Sequence, residues 1–156
     1  MLMLMKKHVV IALAGIAAVC TALPAAAQFQ KPEDAVKYRK AAFTVMSTHF
    51  GRIAAMAQGK VPFDAAAASA NADIVATLAH LPFGGVVDGT AGTEKGSAKA
   101  SIWTERAKFD EGAKKLHEET AKLATVAKGG NLDQIKVAVG AVGQSCKACH
   151  DNYRNQ

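Results

Sequence analysis

Aromatic residues make up only 6% of this 156-residue sequence, and its 19 Lys and Arg gather into no run. A nucleic-acid surface needs a basic stripe with planar side chains among the cations, so that class of partner is excluded. No segment alternates apolar and polar residues as a half-buried strand does. No apolar run reaches the ~20 residues of a membrane-spanning helix. Cysteine is scarce too, with three in all, and one of them, Cys20, lies in the apolar stretch near the N-terminus.

That stretch runs from Val9 to Leu23 behind Lys6 and Lys7, is broken by Pro24 and is followed by Ala25-Ala26-Ala27. A charged start, a short apolar segment and an A-x-A exit describe a secretory signal peptide over residues 1–27, cleaved between Ala27 and Gln28. The alternative is an uncleaved anchor. Val19 before Cys20 does not suit a lipid-modified cysteine. Residues 28–156 are then one exported domain, delivered to the periplasm and free of the membrane after cleavage. Removing the leader takes away two basic residues and no acidic ones, which leaves 17 against 13, a net charge of +4 in place of +6. That balance leaves an acidic protein partner open.

Large apolar residues recur at helical spacing, and four helices are expected. The first starts at Pro32, with Glu33 and Asp34 in its first turn, and runs to about Gln58, where Gly59 stops it. Val36, Phe43, Phe50 and Ala57 mark its inner seam, with Met46, Ile53 and Arg39 on the same side. Ala42, Val45 and Ala55 are apolar or small residues outside that seam. The second is capped by Asp64, buries Ile74, Leu78 and Leu81, and ends at Pro82. A glycine-rich loop follows from Phe83 to Ser97. The third runs from about Ala100 to Lys128 with Ile102, Phe109, Leu116 and Leu123 inward and Glu118 paired with Lys122. The fourth opens at Asn131, with Gln134 three residues on as in a capping box. Leu132, Ile135, Val139, Val142, Cys146, Cys149 and Tyr153 follow in 3–4 alternation. Four amphipathic helices of this kind make an all-α, antiparallel four-helix bundle.

Cys146-Lys147-Ala148-Cys149-His150 is the C-x-x-C-H pattern of covalent c-type haem attachment. Thiols at i and i+3 share one helix face and can add to the two vinyl groups along one edge of a porphyrin. The next residue, His150, can then reach the iron. Both cysteines lie on the core-facing stripe, so one haem c would sit inside the bundle beside the C-terminal helix. Three other readings fit less well. A redox dithiol sits at a helix start behind a strand. A structural zinc needs four ligands, and His49, His80 and His117 are scattered along the chain. An i, i+3 disulfide on a helix is strained. The second axial position is open. No methionine follows His150, and Met46 and Met56 are both on the first helix, so Met46 is either core packing or a sixth ligand.

With these residues in view, the chain from Gln28 onward resembles cytochrome c′. The resemblance rests on Lys31 to Arg39 (KPEDAVKYR), Val45 to Arg52 (VMSTHFGR), Gly92-Thr93-Glu94, Ile102-Trp103 and Val142 to Arg154 (VGQSCKACHDNYR). It implies a left-twisted bundle, a mostly five-coordinate, high-spin haem, binding of NO and CO, and a homodimer packed through the first helix. It places Arg39 near the haem propionates, in keeping with an inward charge that needs an anion. Lys40, Thr93 and Glu94 would also contact the haem, although relatives often have glutamine at Lys40. Phe43, Met46, Phe83 and Val86 match the apolar distal lining, where leucine is common for Phe43 and tryptophan for Phe83. Arg154 would stand beside the proximal ligand. The loop from Val87 to Gly92 is longer than is usual in that family.

Two function classes follow. One is electron transfer with an unidentified redox partner, and the other is capture of nitric oxide. A six-coordinate electron carrier with Met46 on the iron is the alternative to the five-coordinate form. No acid or base is expected at the distal face to assist oxygen chemistry, so the protein is not read as an enzyme.

Overall fold

A computed structural model describes residues 28–156, so the expected signal peptide, residues 1–27, lies outside the described residues. The chain forms α1 (Pro32–Ala57), α2 (Ala65–Leu78), α3 (Leu81–Gly84), α4 (Ser101–Thr104), α5 (Arg106–Lys128) and α6 (Leu132–Tyr153). The four long helices make the expected four-helix bundle. α1 packs on α2 and α6, and α5 packs on the same two.

The ends are set by local chemistry. Pro32 occupies the first turn of α1 with Glu33 and Asp34, and Gly59, at φ 70°, follows its last turn. The Asp64 carboxylate accepts the Ala67 N–H at 3.0 Å. The Asn131 side chain accepts N–H groups from Asp133 and Gln134 at 3.0 and 3.1 Å, satisfying donors the helix leaves free.

Several expectations are corrected. α2 buries Ala68, Ala72 and Val75, with Ala79 just past its end, whereas Ile74 is 38% and Leu81 41% exposed and Leu78 is only partly buried. The small alanine face lets α2 lie close to its neighbours, and Ile74 falls about a third of a turn from its centre. Pro82 does not terminate α2; it sits in the first turn of α3, where its missing N–H is not needed. The expected third helix is broken at Glu105 (φ −118°, ψ 34°), although Glu105 N–H to Ser101 O and Phe109 N–H to Glu105 O carry hydrogen bonds past the break. On α1, Ala42 belongs to the buried seam with Ala35, Arg39, Met46, Ile53 and Met56, while Val36, Phe43, Phe50 and Ala57 flank it. Lys122 pairs with Glu119 at 3.0 Å, not with Glu118, which meets Lys114 at 3.9 Å.

The interior divides in two. The larger cluster, around Ile53, Val75, Leu123, Ile135 and Val142, fills the bundle toward the α5–α6 turn. The smaller one joins Val86, Ala98, Ile102, Phe109 and Tyr153 near the C-terminal end of α6, and Phe83 touches both. The loop before α4 is clamped to the chain after α6. Gly96 N–H donates to Asn155 O, Asn155 N–H to Ser97 O and Lys99 N–H to Tyr153 O.

Candidate functional site

α6 brings the motif to the place where the two clusters part. Val142, Cys146, Cys149 and Tyr153 descend its inner side, so the two thiols face the same way one turn apart, and His150 follows. Cys146, Cys149 and His150 are each partly buried and open on a cavity of about 870 Å³. That size lies within the ~300–1,000 Å³ of sites for cofactor-sized ligands.

The cavity walls are mostly apolar. α1 contributes Phe43, Met46 and Phe50; Phe83 and Val86 come from α3 and the turn after it; Phe109 and Leu116 come from α5. Gly112 and Gly143 also face it, and nothing lies within 4 Å of where either would carry a Cβ. The site therefore offers two thiols, an imidazole and glycine-walled open space. Phe43 meets Phe83 edge to face at 6.1 Å and the His150 ring at 6.5 Å between centroids. Met46 is buried in the larger cluster and also reaches the cavity wall, one turn from Phe43.

The electrostatics fit a metal-bearing, anionic guest. Burial pushes both cysteine thiols up from their ordinary value, and Cys146 adds to this at Cys149. A reactive dithiol is tuned the opposite way. Burial first, and then Arg154, hold the His150 imidazolium below the usual histidine range, against Asp151, so the neutral ring that binds iron is favoured. Arg39 carries the clearest signal. It is 6% exposed, yet its guanidinium donates only to neutral acceptors: Gly85 O and Thr90 Oγ1 from Nη1, and Thr90 O from Nη2, each at 3.1 Å. Burial lowers its pKa, and the same side chain lines the cavity. A buried cation without a carboxylate suits an anion delivered by the guest, as haem propionates would.

Arg39, Lys40, Phe43, Met46, Phe83, Val86, Cys146, Cys149, His150 and Arg154 are brought together around this one space. Thr93 and Glu94 are not. Both are exposed, the Thr93 N–H donates to Glu94 Oε2, and the Glu94 carbonyl accepts from Ser97. Thr90 went unnoticed in the sequence, where a lone threonine in a glycine-rich loop carries no mark. Gly85 did as well; a Cβ there would come 2.6 Å from Ala35 O, so this close approach to α1 requires glycine.

The histidines outside the motif are not all scattered. His80 and His117 stack with centroids 4.0 Å apart, and His117 packs edge to face on Phe83 at 5.3 Å. His49 bonds Asn71 through Nδ1 at 2.8 Å. No group of three or more metal-ligating side chains forms among the described residues.

Comparison with known proteins gives one answer. Residues 34–154 match the family model described as Cytochrome C'. A cytochrome c' of Rubrivivax gelatinosus is 48% identical over 132 residues, covering 83% of this chain and all of that one. One from Alcaligenes xylosoxydans xylosoxydans is 44% identical over 129 residues, covering 83% and 99%. Among solved structures, the Rubrivivax gelatinosus cytochrome c' superposes with a TM-score of 0.77 at 46% identity, over 82% of this chain and 100% of that one. A nitric oxide complex of a leucine-to-alanine mutant of the Alcaligenes xylosoxidans protein gives 0.76 at 44% identity, over 82% and 98%.

Proposed function

This chain belongs to the cytochrome c′ family, and from that membership we propose that it is an exported, periplasmic haem protein serving electron transfer and the binding of NO and CO. The observation that carries the reading is the cavity on which Cys146, Cys149 and His150 open together, faced by apolar Phe43 and Met46.

In this reading Cys146 and Cys149 would hold the group by thioethers, the thiols adding across its two vinyl groups with nothing leaving. One haem c per subunit results. When bound, it supplies a one-electron iron centre that takes diatomic gases. The chain's own residues do the rest. His150 would bind the iron through a neutral imidazole, positioned by the neighbouring Cys149 linkage. Arg39, with Lys40 near the rim, holds a propionate against α1. Phe43 offers no donor atom, and with the group bound it would cover the side opposite His150, giving up its edge-to-face contact with that ring. There it would exclude water and give an incoming gas no hydrogen bond, so a gas that needs none, such as NO, is favoured. Arg154 keeps a positive charge beside His150, favouring a weakly basic proximal ligand.

Association follows from α1. Val45 is 48% exposed and Tyr38, against the Phe29 ring, 37% exposed on one flank of the buried α1 seam, an apolar strip suited to an isologous partner copy.

The deciding experiment is an optical spectrum of the purified holoprotein, oxidised and reduced, with Met46→Leu alongside. High-spin spectra unaltered by Met46→Leu are expected. A low-spin wild type with a methionine–iron band that Met46→Leu abolishes would reassign the protein as a six-coordinate electron carrier.

A further inference from the structure

Charge is not spread evenly over this molecule. Five of its cationic side chains line the cavity, Arg39, Lys40, Lys95, Lys147 and Arg154, and one acidic side chain does, Asp151. The domain from Gln28 onward holds 17 basic and 13 acidic residues, so the rest of it carries twelve of each. Its entire excess of +4 therefore sits around one opening. Lys40, Lys95, Lys147 and Arg154 are exposed, and only Lys147 is committed to an acid, Asp151. Two of these cations are held by backbone. Lys95 and Arg154 lie on the two segments clamped by the Gly96–Asn155 and Asn155–Ser97 hydrogen bonds, and the Arg154 guanidinium rests against Gly96. Two propionates would reduce the local sum without reversing its sign.

We infer that the mouth of the cavity is a docking surface for an acidic electron-transfer protein, whose carboxylates meet Lys40, Lys95, Lys147 and Arg154. The inference rests on the haem reading above and adds the chemistry of the partner. Charge confined to one cleft mouth orients an incoming partner as well as attracting it, so the approach ends where electron tunnelling is shortest. One electron passes per encounter; the donor is oxidised by one unit and iron(III) becomes iron(II), or the reverse.

The test uses the mature holoprotein and two double variants of equal charge change. Lys95→Glu with Lys147→Glu alters the mouth. Lys60→Glu with Lys128→Glu alters the opposite end of the bundle, just past the C-terminus of α1 and at that of α5, where Lys128 meets Asp73 at 3.4 Å. Stopped-flow oxidation of the ferrous protein is followed with anionic hexacyanoferrate(III) and with cationic tris(phenanthroline)cobalt(III). Binding of fluorescein-labelled polyglutamate is followed by anisotropy. At low ionic strength the mouth variant should react about tenfold more slowly with the anion and faster with the cation. It should also bind polyglutamate at least ~10-fold more weakly, with the differences shrinking above ~0.1 M salt. The far-end variant should change each by less than about twofold. Equal effects from both variants would mean that net charge alone matters, and no effect from either would mean the mouth is not a recognition surface. Both outcomes overturn the inference while leaving the haem spectrum intact. A protein that carries no covalent haem overturns the functional reading instead.

Discussion

Replacing Arg39 with leucine tests the link between a buried cation and the guest of the cavity. The change keeps bulk and removes three hydrogen bonds, those to Gly85 O, Thr90 O and Thr90 Oγ1. The Thr90 hydroxyl still donates to Val87 O at 2.6 Å, so two carbonyls lose a donor. Each costs about 1–3 kcal/mol if water does not reach it. Relief of the buried guanidinium offsets part of this, so the haem-free protein should lose about 1–3 kcal/mol. The holoprotein should lose more, because a propionate stripped of its partner adds ~3–5 kcal/mol when fully buried, and about half that at a mouth open to water. The excess loss in the holo form is the diagnostic quantity. The reduction potential should fall as well, since an uncompensated anion favours ferric iron. A unit charge ~10 Å from any redox centre at an effective dielectric of ~20 is worth about 1.7 kcal/mol, or ~70 mV for one electron, and screening at the opening brings the expectation to roughly 30–70 mV. Urea denaturation of both forms and a potentiometric titration supply the numbers. Equal losses in the two forms with an unmoved potential would show that Arg39 only ties α1 to the Gly85–Thr90 loop.

The other expectations are read more simply. The exported protein should begin at Gln28 and retain its haem through acid–acetone extraction, and Cys146→Ala or Cys149→Ala should each leave at most one thioether; haem that washes out of wild type would contradict covalent attachment. Phe43→Ala should open the apolar face and speed CO binding several-fold by flash photolysis, with an unchanged rate counting against Phe43 as the barrier. Val45→Glu should shift sedimentation from dimer to monomer at micromolar concentration, whereas a wild type that is already monomeric removes the argument from α1. His117 is held below its ordinary pKa by burial first and by neighbouring His80 second, against an Ala79 backbone hydrogen bond. The unfolded chain then binds the proton first, so this stabilisation is complete above about pH 6.5 and is lost as pH falls through the lower folded value. Thermal melts from pH 7 to 5 should show that loss, and His117→Gln should flatten it.

What could be read in the sequence was whatever acts within one helix. The Asp64 and Asn131 caps, the α5 repeat of Phe109, Leu116 and Leu123, and the inward run of α6 to Cys149 depend on residues of the same helix. The phase of α2 was not legible, because its buried face is alanine and the eye goes to Ile74 and Leu81. The Glu105 break had no local mark either, since no Gly or Pro stands there. The site divided along the same line. Cys146, Cys149 and His150 announce themselves by spacing, and Arg39 by sitting on an apolar seam. Thr90, which is 51 residues from Arg39, and the tail-to-loop clamp around Asn155 exist only once the chain is folded.

The two-part interior explains how one small bundle holds both a stable fold and a large hole. Ile53, Val75, Leu123, Ile135 and Val142 are each no more than 1% exposed, and all belong to the cluster toward the α5–α6 turn. Shortening any of them there leaves a cavity that close-packed neighbours do not fill, at a cost of about 2–5 kcal/mol for a large-to-alanine change. The motif end is built differently. Phe83 is the hinge between the clusters, touching Phe43, Phe109 and His117 edge to face, and the glycines at 112 and 143 leave space where side chains would otherwise meet. Stability is thus concentrated where no guest is needed. The cavity end is closed by aromatic contacts and by hydrogen bonds from Arg39 and Asn155, groups able to rearrange around a rigid planar ring. A bundle packed evenly along its length would have no room for that ring. A bundle loosened evenly would have no cooperative core to hold Cys146, Cys149 and His150 in register before it arrived.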